Sequence, residues 1–350
     1  RGPDDKGFWI DDESKIALSY RRLAVIDLSK NGNQPMVSQN NRWIIVYNGE
    51  IYNHNELRKN LDDSGYKIKW KGTSDTETLL ACIEFWGLEK SLSKIVGMFS
   101  FSLWDKKTKR LFLARDRFGE KPLYYGYIDK CFVFASEIKS FKIFPGFQKK
   151  INQSALRSYF SLNVVPNKFC IYENIFKLTP GSYICIGYDS VDNQVIPKPQ
   201  HYWSITNLFN SSKNNKISIS ENEINQEIKR MIQESVTQQL ISDVPIGVFL
   251  SGGIDSALCA AISVDALGSE KVKCFMLPFK YTSEQSFIDA TECAKNLSIE
   301  LGSLDIENSF NSLETVLTPF FNNLPPDVTE ENLQSRIRGT LLMALSNKVG

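Results

Sequence analysis

Over the first 145 residues apolar positions come in short, alternating runs broken by turn formers. Phe8–Ile10, Ile16–Leu23, Trp43–Tyr47, Phe99–Trp104, Arg110–Ala114, Leu123–Ile128 and Cys131–Ala135 read as strands, with Asp11-Asp12, Asn31-Gly32, Lys106-Lys107 and Asp129-Lys130 as punctuation. Asn55–Asp63 and Asp75–Trp86 carry apolar residues at helical spacing. Strand pairs with helices laid on them predict an α+β layered sandwich. Residues 150–215 read as a bridge, with a helix at Leu156–Leu162, a strand at Gly181–Ile186 and a linker at Asn207–Ser218. From residue 221 the grammar changes. A long amphipathic helix (Glu223–Ser242) is followed by an apolar strand (Ile246–Leu250), a helix from about Ser256 to Leu267, a strand (Val272–Leu277) and a helix from about Ser286 to Leu297. Strand alternating with helix predicts a parallel, doubly wound α/β sheet. The expected domains are 1–150, a bridge over 151–220, and 221–350.

Composition narrows this little. Lys and Arg number 41 against 40 Asp and Glu, so charge argues for neither nucleic acid nor an anionic membrane as partner. No window is long and apolar enough to span a bilayer. Seven scattered cysteines show no metal-ligand or disulfide spacing, which suits a reducing, cytoplasmic setting. His54 and His201 stand far apart, so a histidine triad or metal site is not expected.

The strongest local signal is Val248-Phe249-Leu250-Ser251-Gly252-Gly253-Ile254-Asp255-Ser256. An apolar strand meets a glycine turn and then a helix start. Glycines admit an anion close to the backbone, and the first-turn N–H groups point at it. The lysine of a Walker A loop is missing and Asp255 is present instead, which makes sense beside phosphates only with a bridging cation, Mg²⁺. This run resembles the pyrophosphate loop of N-type ATP pyrophosphatases. That likeness implies ATP and Mg²⁺ as cofactors, Leu250, Ser251, Gly252, Gly253, Asp255 and Ser256 as the ATP-binding set, and Asp255 as metal ligand.

The motifs Arg1-Gly2-Pro3-Asp4-Asp5, Arg21–Leu28, Tyr47–Asn53, Ser74-Asp75-Thr76-Glu77, Gly97–Phe101 and Arg115–Tyr125 resemble, in that order, glutamine-hydrolysing asparagine synthetase over residues 1–256. The resemblance implies an Ntn-type αββα sandwich. It implies a glutamine site of Arg22, Val25, Asn48, Gly49, Glu50 and Asp75. Arginine suits the α-carboxylate and acids suit the α-amine. Asn48 (side chain) and Gly49 (N–H) would form an oxyanion hole. Taken alone, Asn48-Gly49 reads as a hairpin turn; the surrounding set overturns that. The family's nucleophile is an amino-terminal cysteine ahead of the Arg1–Asp5 run. The chain opens on that run without Met, so it is expected to be cut at its amino end and to bind glutamine without hydrolysing it.

Beyond the loop the likeness changes. Asp265–Gly268, Tyr281–Ser286 and Thr329–Gly339 resemble glutamine-dependent NAD synthetase, which implies Asn332 and Arg336 as contacts for deamido-NAD, across a homodimer. Since glutamine-using NAD synthetases carry a different glutaminase, the two likenesses together imply a chimera joined at Ser251–Ser256, truncated after Gly350. The function expected is an ATP-dependent amidoligase, asparagine synthase with aspartate as acceptor. The alternatives are NAD synthetase or an inactive glutamine-binding fragment.

Overall fold

The structure, a computed structural model, describes residues 2–162, 164–213, 220–243, 247–280, 282–321 and 328–349. Arg1, Ile246, Tyr281, Asp327, Gly350 and residues 214–218 of the expected linker lie outside the described residues. The chain divides into two compact units, Arg1–Ser218 and Ile219–Gly350.

The first unit runs β1 (Asp5–Asp11), β2 (Ile16–Arg22), β3 (Met36–Val37), β4 (Trp43–Ile51), α1 (His54–Asp63), α2 (Asp75–Trp86), α3 (Leu88–Lys94), β5 (Gly97–Asp105), β6 (Arg110–Arg115), β7 (Tyr124–Ile128), β8 (Cys131–Ala135), α4 (Gln153–Leu162), β9 (Ile175–Lys177), β10 (Ser182–Ile186), α5 (Tyr188–Asp192), β11 (Gln200–His201) and α6 (Ile205–Ser212). Its largest sheet has six antiparallel strands in the order β11-β10-β6-β5-β4-β3. Smaller sheets are the β1-β2 pair and β8-β7-β9.

Strand periodicity explains the layers. Side chains at alternate positions leave opposite faces, so each central strand feeds two cores. Ile45, Tyr47, Phe99, Phe101, Leu103 and Ala114 pack with Leu57, Leu79 and Ile83 of the helices. Ile44, Trp104, Leu111, Leu113 and Ile184 pack with Leu18, Leu123 and Tyr125 of the smaller sheets. That two-sided burial is why β4 and β5 read as nearly unbroken apolar runs. A third cluster, with Ile128, Phe141, Cys170 and Ile175, covers the far side of β7–β9. The result is a helix–sheet–sheet sandwich with a thin outer cover.

The second unit runs α7 (Glu221–Gln239), β12 (Gly247–Phe249), α8 (Ile254–Leu267), β13 (Lys273–Met276), α9 (Glu284–Asn296), β14 (Glu300–Ser303), α10 (Glu307–Phe321) and α11 (Val328–Val349). The sheet is parallel, in the order β12-β13-β14. Two successive crossovers in one direction put α8 and α9 on one face; Ala260, Ala290 and Ala294 share a core there with Cys274 and Met276. Phe310 of α10 and Leu333 and Ile337 of α11 cluster with Leu277, Phe279 and Ile306 on the other face. Helices therefore cover both sides of a parallel sheet.

Two boundaries differ from the expectation. The described residues of 151–213 are part of the first unit and not a bridge: β10 pairs with β6, and β9 with β7, inside its sheets. Short strands flanked by loops hide this partnership, which only tertiary pairing reveals. Within the expected linker, residues 207–212 are helical, because Ser204 caps α6 by accepting from the Asn207 N–H. The periodicity also passed over β3, α3, β9, α5, β11, β14 and α10.

Leu103 is fully buried between α2 and the large sheet. Leu103→Ala should lower unfolding free energy by about 2–5 kcal/mol, read by denaturant titration. Gly252 has φ +84°, and an added Cβ would lie 2.3 Å from the Ser286 carbonyl oxygen. Gly252→Ala should therefore destabilise the second unit while leaving the first unit's transition in place, a split that calorimetry resolves.

Candidate functional site

The outward edge of β4 organises the first unit's candidate site. Backbone N–H groups two residues apart point the same way along a strand. The Tyr47 N–H is taken by Gln34 Oε1 at 2.6 Å, and the Ile51 N–H by Asp75 Oδ2 at 2.9 Å. Gly49 lies between them, and alternation directs its N–H to the same edge. The register agrees: its partner Phe99 spends its N–H and C=O on Asp116, not on Gly49. No side chain fits at Gly49, since a Cβ would sit 2.3 Å from the Met98 carbonyl oxygen. Asn48-Gly49 is thus mid-strand, not a hairpin turn.

Asp75 opens α2, one residue after the Ser74 cap. Its carboxylate accepts from the Tyr47 hydroxyl at 3.0 Å as well as from Ile51. Burial pushes its pKa up, against those hydrogen bonds, which act to lower it. Glu50 is pushed up to about 7, first by burial and then by the Asp75 charge, while Lys121 pulls the other way. Burial likewise raises the Tyr20 hydroxyl to about 12, and that group feels both Arg22 and Asp75. Tyr20 and Arg22 share their strand face with Leu18, which lines the inter-sheet core. Tyr20 thereby links Arg22 to Asp75, and the Asp75 charge in turn acts on Glu50.

Arg22 departs from the simplest expectation. Its Nη1 donates to the Ser29 carbonyl at 2.8 Å and to Asn33 Oδ1 at 2.7 Å, and Nη2 donates to the Asp27 carbonyl. Three of the five guanidinium donors therefore hold residues 27–33, and hydrogen bonds among the described residues leave the Nε–H and one Nη2–H unspent. Val25 sits half-buried in the turn that follows. Asp4 fixes that turn by accepting from the Ala24 N–H at 2.7 Å.

Sequence reasoning missed the residues that hold this arrangement. Gln34 closes one end of the β4 edge and also reaches Thr76. Asp27, buried, accepts from Ser29 and, at 2.9 Å, from the Thr73 N–H, tying the Arg22 loop to the Asp75 turn. Arg58 donates to the Gly72 and Ser74 carbonyls from the other side, stacked on Trp70. The one signal available was that Asp27 lies within the Arg21–Leu28 motif. Cys82 is core in α2, with its thiol raised to about 12 by burial, so it supplies no thiolate.

In the second unit, Leu250 is buried at the end of β12 and α8 starts at Ile254 with Gly253 as cap and no side-chain cap. Among the described residues no side chain caps the first turn of α8, so its leading N–H groups are without a capping partner. The hydroxyls close the turn: Ser256 Oγ donates to the Gly253 carbonyl at 3.0 Å, accepts from the Ser251 N–H, and meets Ser251 Oγ at 3.1 Å. Asp255 is exposed in the first turn. Among the described residues no group of three or more acids, His or Cys could hold a metal. A cation at Asp255 would therefore take most of its ligands from phosphate and water. Asn332 and Arg336 lie one turn apart on the exposed side of α11, and no hydrogen bond or ion pair among the described residues links them to the loop.

Comparison with known proteins agrees with this division. Residues 1–203 match the glutamine amidotransferase domain family, and residues 224–350 match NAD synthase. The chain is 35% identical over 327 residues to asparagine synthetase [glutamine-hydrolyzing] 1 of Bacillus subtilis (strain 168), covering 93% of this chain and 47% of that protein. It is 35% identical over 314 residues to amidase chyE of Penicillium rubens, covering 86% of this chain and 44% of that one. The chain spans about half the length of these relatives, or less. An alignment over 93% of the chain runs well into residues 224–350, so both likenesses meet in the second unit. Among solved structures, a glutamine-dependent NAD+ synthetase from Acinetobacter baumannii in complex with ADP is 34% identical, with a TM-score of 0.35 over 51% of this chain and 30% of that chain. The family match over residues 1–203 spans more than half of the chain, which therefore belongs to the glutamine amidotransferase domain family.

Proposed function

We propose that the first unit holds free glutamine and the second holds ATP, in a glutamine-dependent amidoligase of the asparagine synthase type. The supporting observation is the Glu50–Asp75 pair. Buried Asp75 and half-buried Glu50, whose pKa the Asp75 charge raises further, form a site short of positive charge, and an α-ammonium supplies it. The unspent Arg22 donors take the α-carboxylate. The side-chain amide oxygen then reaches the Gly49 N–H and the Asn48 amide, which would stabilise an oxyanion there.

At the loop, the backbone of Ser251, Gly252 and Gly253 and the start of α8 hold the pyrophosphate end of ATP. Mg²⁺, when bound beside Asp255, neutralises phosphate charge. An acceptor carboxylate oxygen attacks the α-phosphorus and pyrophosphate leaves; ammonia then attacks the adenylate carbonyl carbon and AMP leaves. Aspartate is the acceptor that the asparagine synthetase relatives favour. The match of residues 224–350 to NAD synthase favours a second reading, with deamido-NAD as acceptor near Asn332 and Arg336. Pyrophosphate release with ammonia, ATP and each acceptor in turn decides between them; release with neither leaves a glutamine-binding module.

Two further outcomes are expected. Asp75→Asn should weaken glutamine binding by roughly 10–100-fold, the worth of a charged hydrogen bond, measured by calorimetry. An ammonium stabilises the ionised form of Glu50, whose unliganded pKa is raised to about 7. Below that pH binding must expel a proton, so glutamine affinity should climb as pH rises from 6 to 8 and then level. A flat profile would contradict the assignment.

A further inference from the structure

Asp116 is completely buried, and among the described residues its carboxylate makes no salt bridge; it is filled by backbone instead. Oδ1 accepts from the Phe118 N–H at 3.1 Å and the Glu120 N–H at 2.9 Å. Oδ2 accepts from the Phe99 N–H at 3.2 Å and the Lys121 N–H at 3.0 Å. Both oxygens are double acceptors, a demand only a carboxylate meets. An amide in its place would aim an NH₂ at two N–H groups.

The neighbours of this nest matter more than the nest. Phe99 stands opposite Gly49 in the β4–β5 register, and Ser100, opposite Asn48, donates to the Pro122 carbonyl at 3.3 Å. The Asp116 backbone extends the same grip: its N–H donates to the Phe99 carbonyl at 2.8 Å and its carbonyl accepts from the Gly181 N–H at 2.8 Å. Arg115 backs the loop, donating from Nε to the Lys121 carbonyl at 2.6 Å, from Nη1 to the Leu178 carbonyl at 2.7 Å, and from Nη2 to the Gly119 carbonyl. The backbone of Lys121 is thus fixed on both its N–H and its C=O.

We propose that Asp116 is a positioning residue for the glutamine site: its carboxylate-centred nest locks Phe99 opposite Gly49 and presents the Lys121 ammonium to Glu50. The inference rests on the glutamine reading of that site. The groups acting with Glu50 are Asp75, from α2, Lys121, from the loop, and the hydroxyls of Tyr47 on β4 and Tyr52 just after it; Lys121 also acts on Glu120 in its own loop. Lys121 pulls the Glu50 pKa down while burial and Asp75 push it up. A loosened loop removes that cation and makes Glu50 a weaker acid, so the ammonium subsite charges only at higher pH.

The test follows the Glu50 carboxyl by NMR titration in the whole chain without ligand, for the native protein, Asp116→Asn and Lys121→Met, with L-glutamine calorimetry in parallel. Both variants should move the Glu50 midpoint upward by roughly half a pH unit. The pH dependence of glutamine binding should move with it. An unchanged midpoint in folded Asp116→Asn overturns the proposal. Should that variant fail to fold, amide hydrogen exchange in the native protein decides. The Phe118, Glu120 and Lys121 N–H groups should be protected despite the exposure of Phe118 and Glu120, and fast exchange at all three overturns the proposal. A native protein that shows the Glu50 midpoint and these protections but binds no glutamine sinks the glutamine reading and leaves the nest standing.

Discussion

Three N–H groups at alternate residues leave the outer edge of β4, and among the described residues side chains close the outer two. Gln34 fills the space beside Tyr47, and Asp75 fills the space beside Ile51. A sheet edge left open would pair with another strand; here a buried amide and a buried acid take that role. What remains is a one-residue gap at Gly49, where no Cβ could stand. The gap is flanked by acids whose ionisation burial opposes.

Holding the gap open requires a second tier of residues that never meet a ligand. Arg22 spends three donors on the loop that follows β2, and Asp27 in that loop reaches the Thr73 N–H before α2. Arg58 clamps the same turn from the α1 side. Asp75 therefore has little freedom to relax away from Glu50. Hydrogen bonds to carbonyls and amides several residues distant hold the Arg22 loop and the Asp75 turn in place, which is the usual division of labour between a site and its support.

Much of this was legible in the sequence. The strands around Trp43 and Phe99, the α2 start at Asp75 and the glycine turn after β12 follow from local pattern. The residues of the site were legible only as a motif set, because Arg22, Glu50 and Asp75 come from three elements. Asn48-Gly49 shows the limit of local rules: its propensity favours a turn, and the cores on both faces of β4 keep it in a strand. Gln34 and Arg58 gave no signal, because their partners lie in segments far along the chain. The extent of the first unit was hidden for the same reason, since Ser182–Ile186 looks like an isolated run until it pairs with β6.

The central claim is that the Gly49 N–H is a waiting donor for a glutamine amide. Amide NMR of the intact chain, titrated with L-glutamine at pH 8, tests it most directly. The account predicts a downfield shift of the Gly49 amide proton, with the Tyr47 and Ile51 amides, already bonded to Gln34 and Asp75, moving far less. Saturable binding that leaves the Gly49 resonance where it was would contradict it.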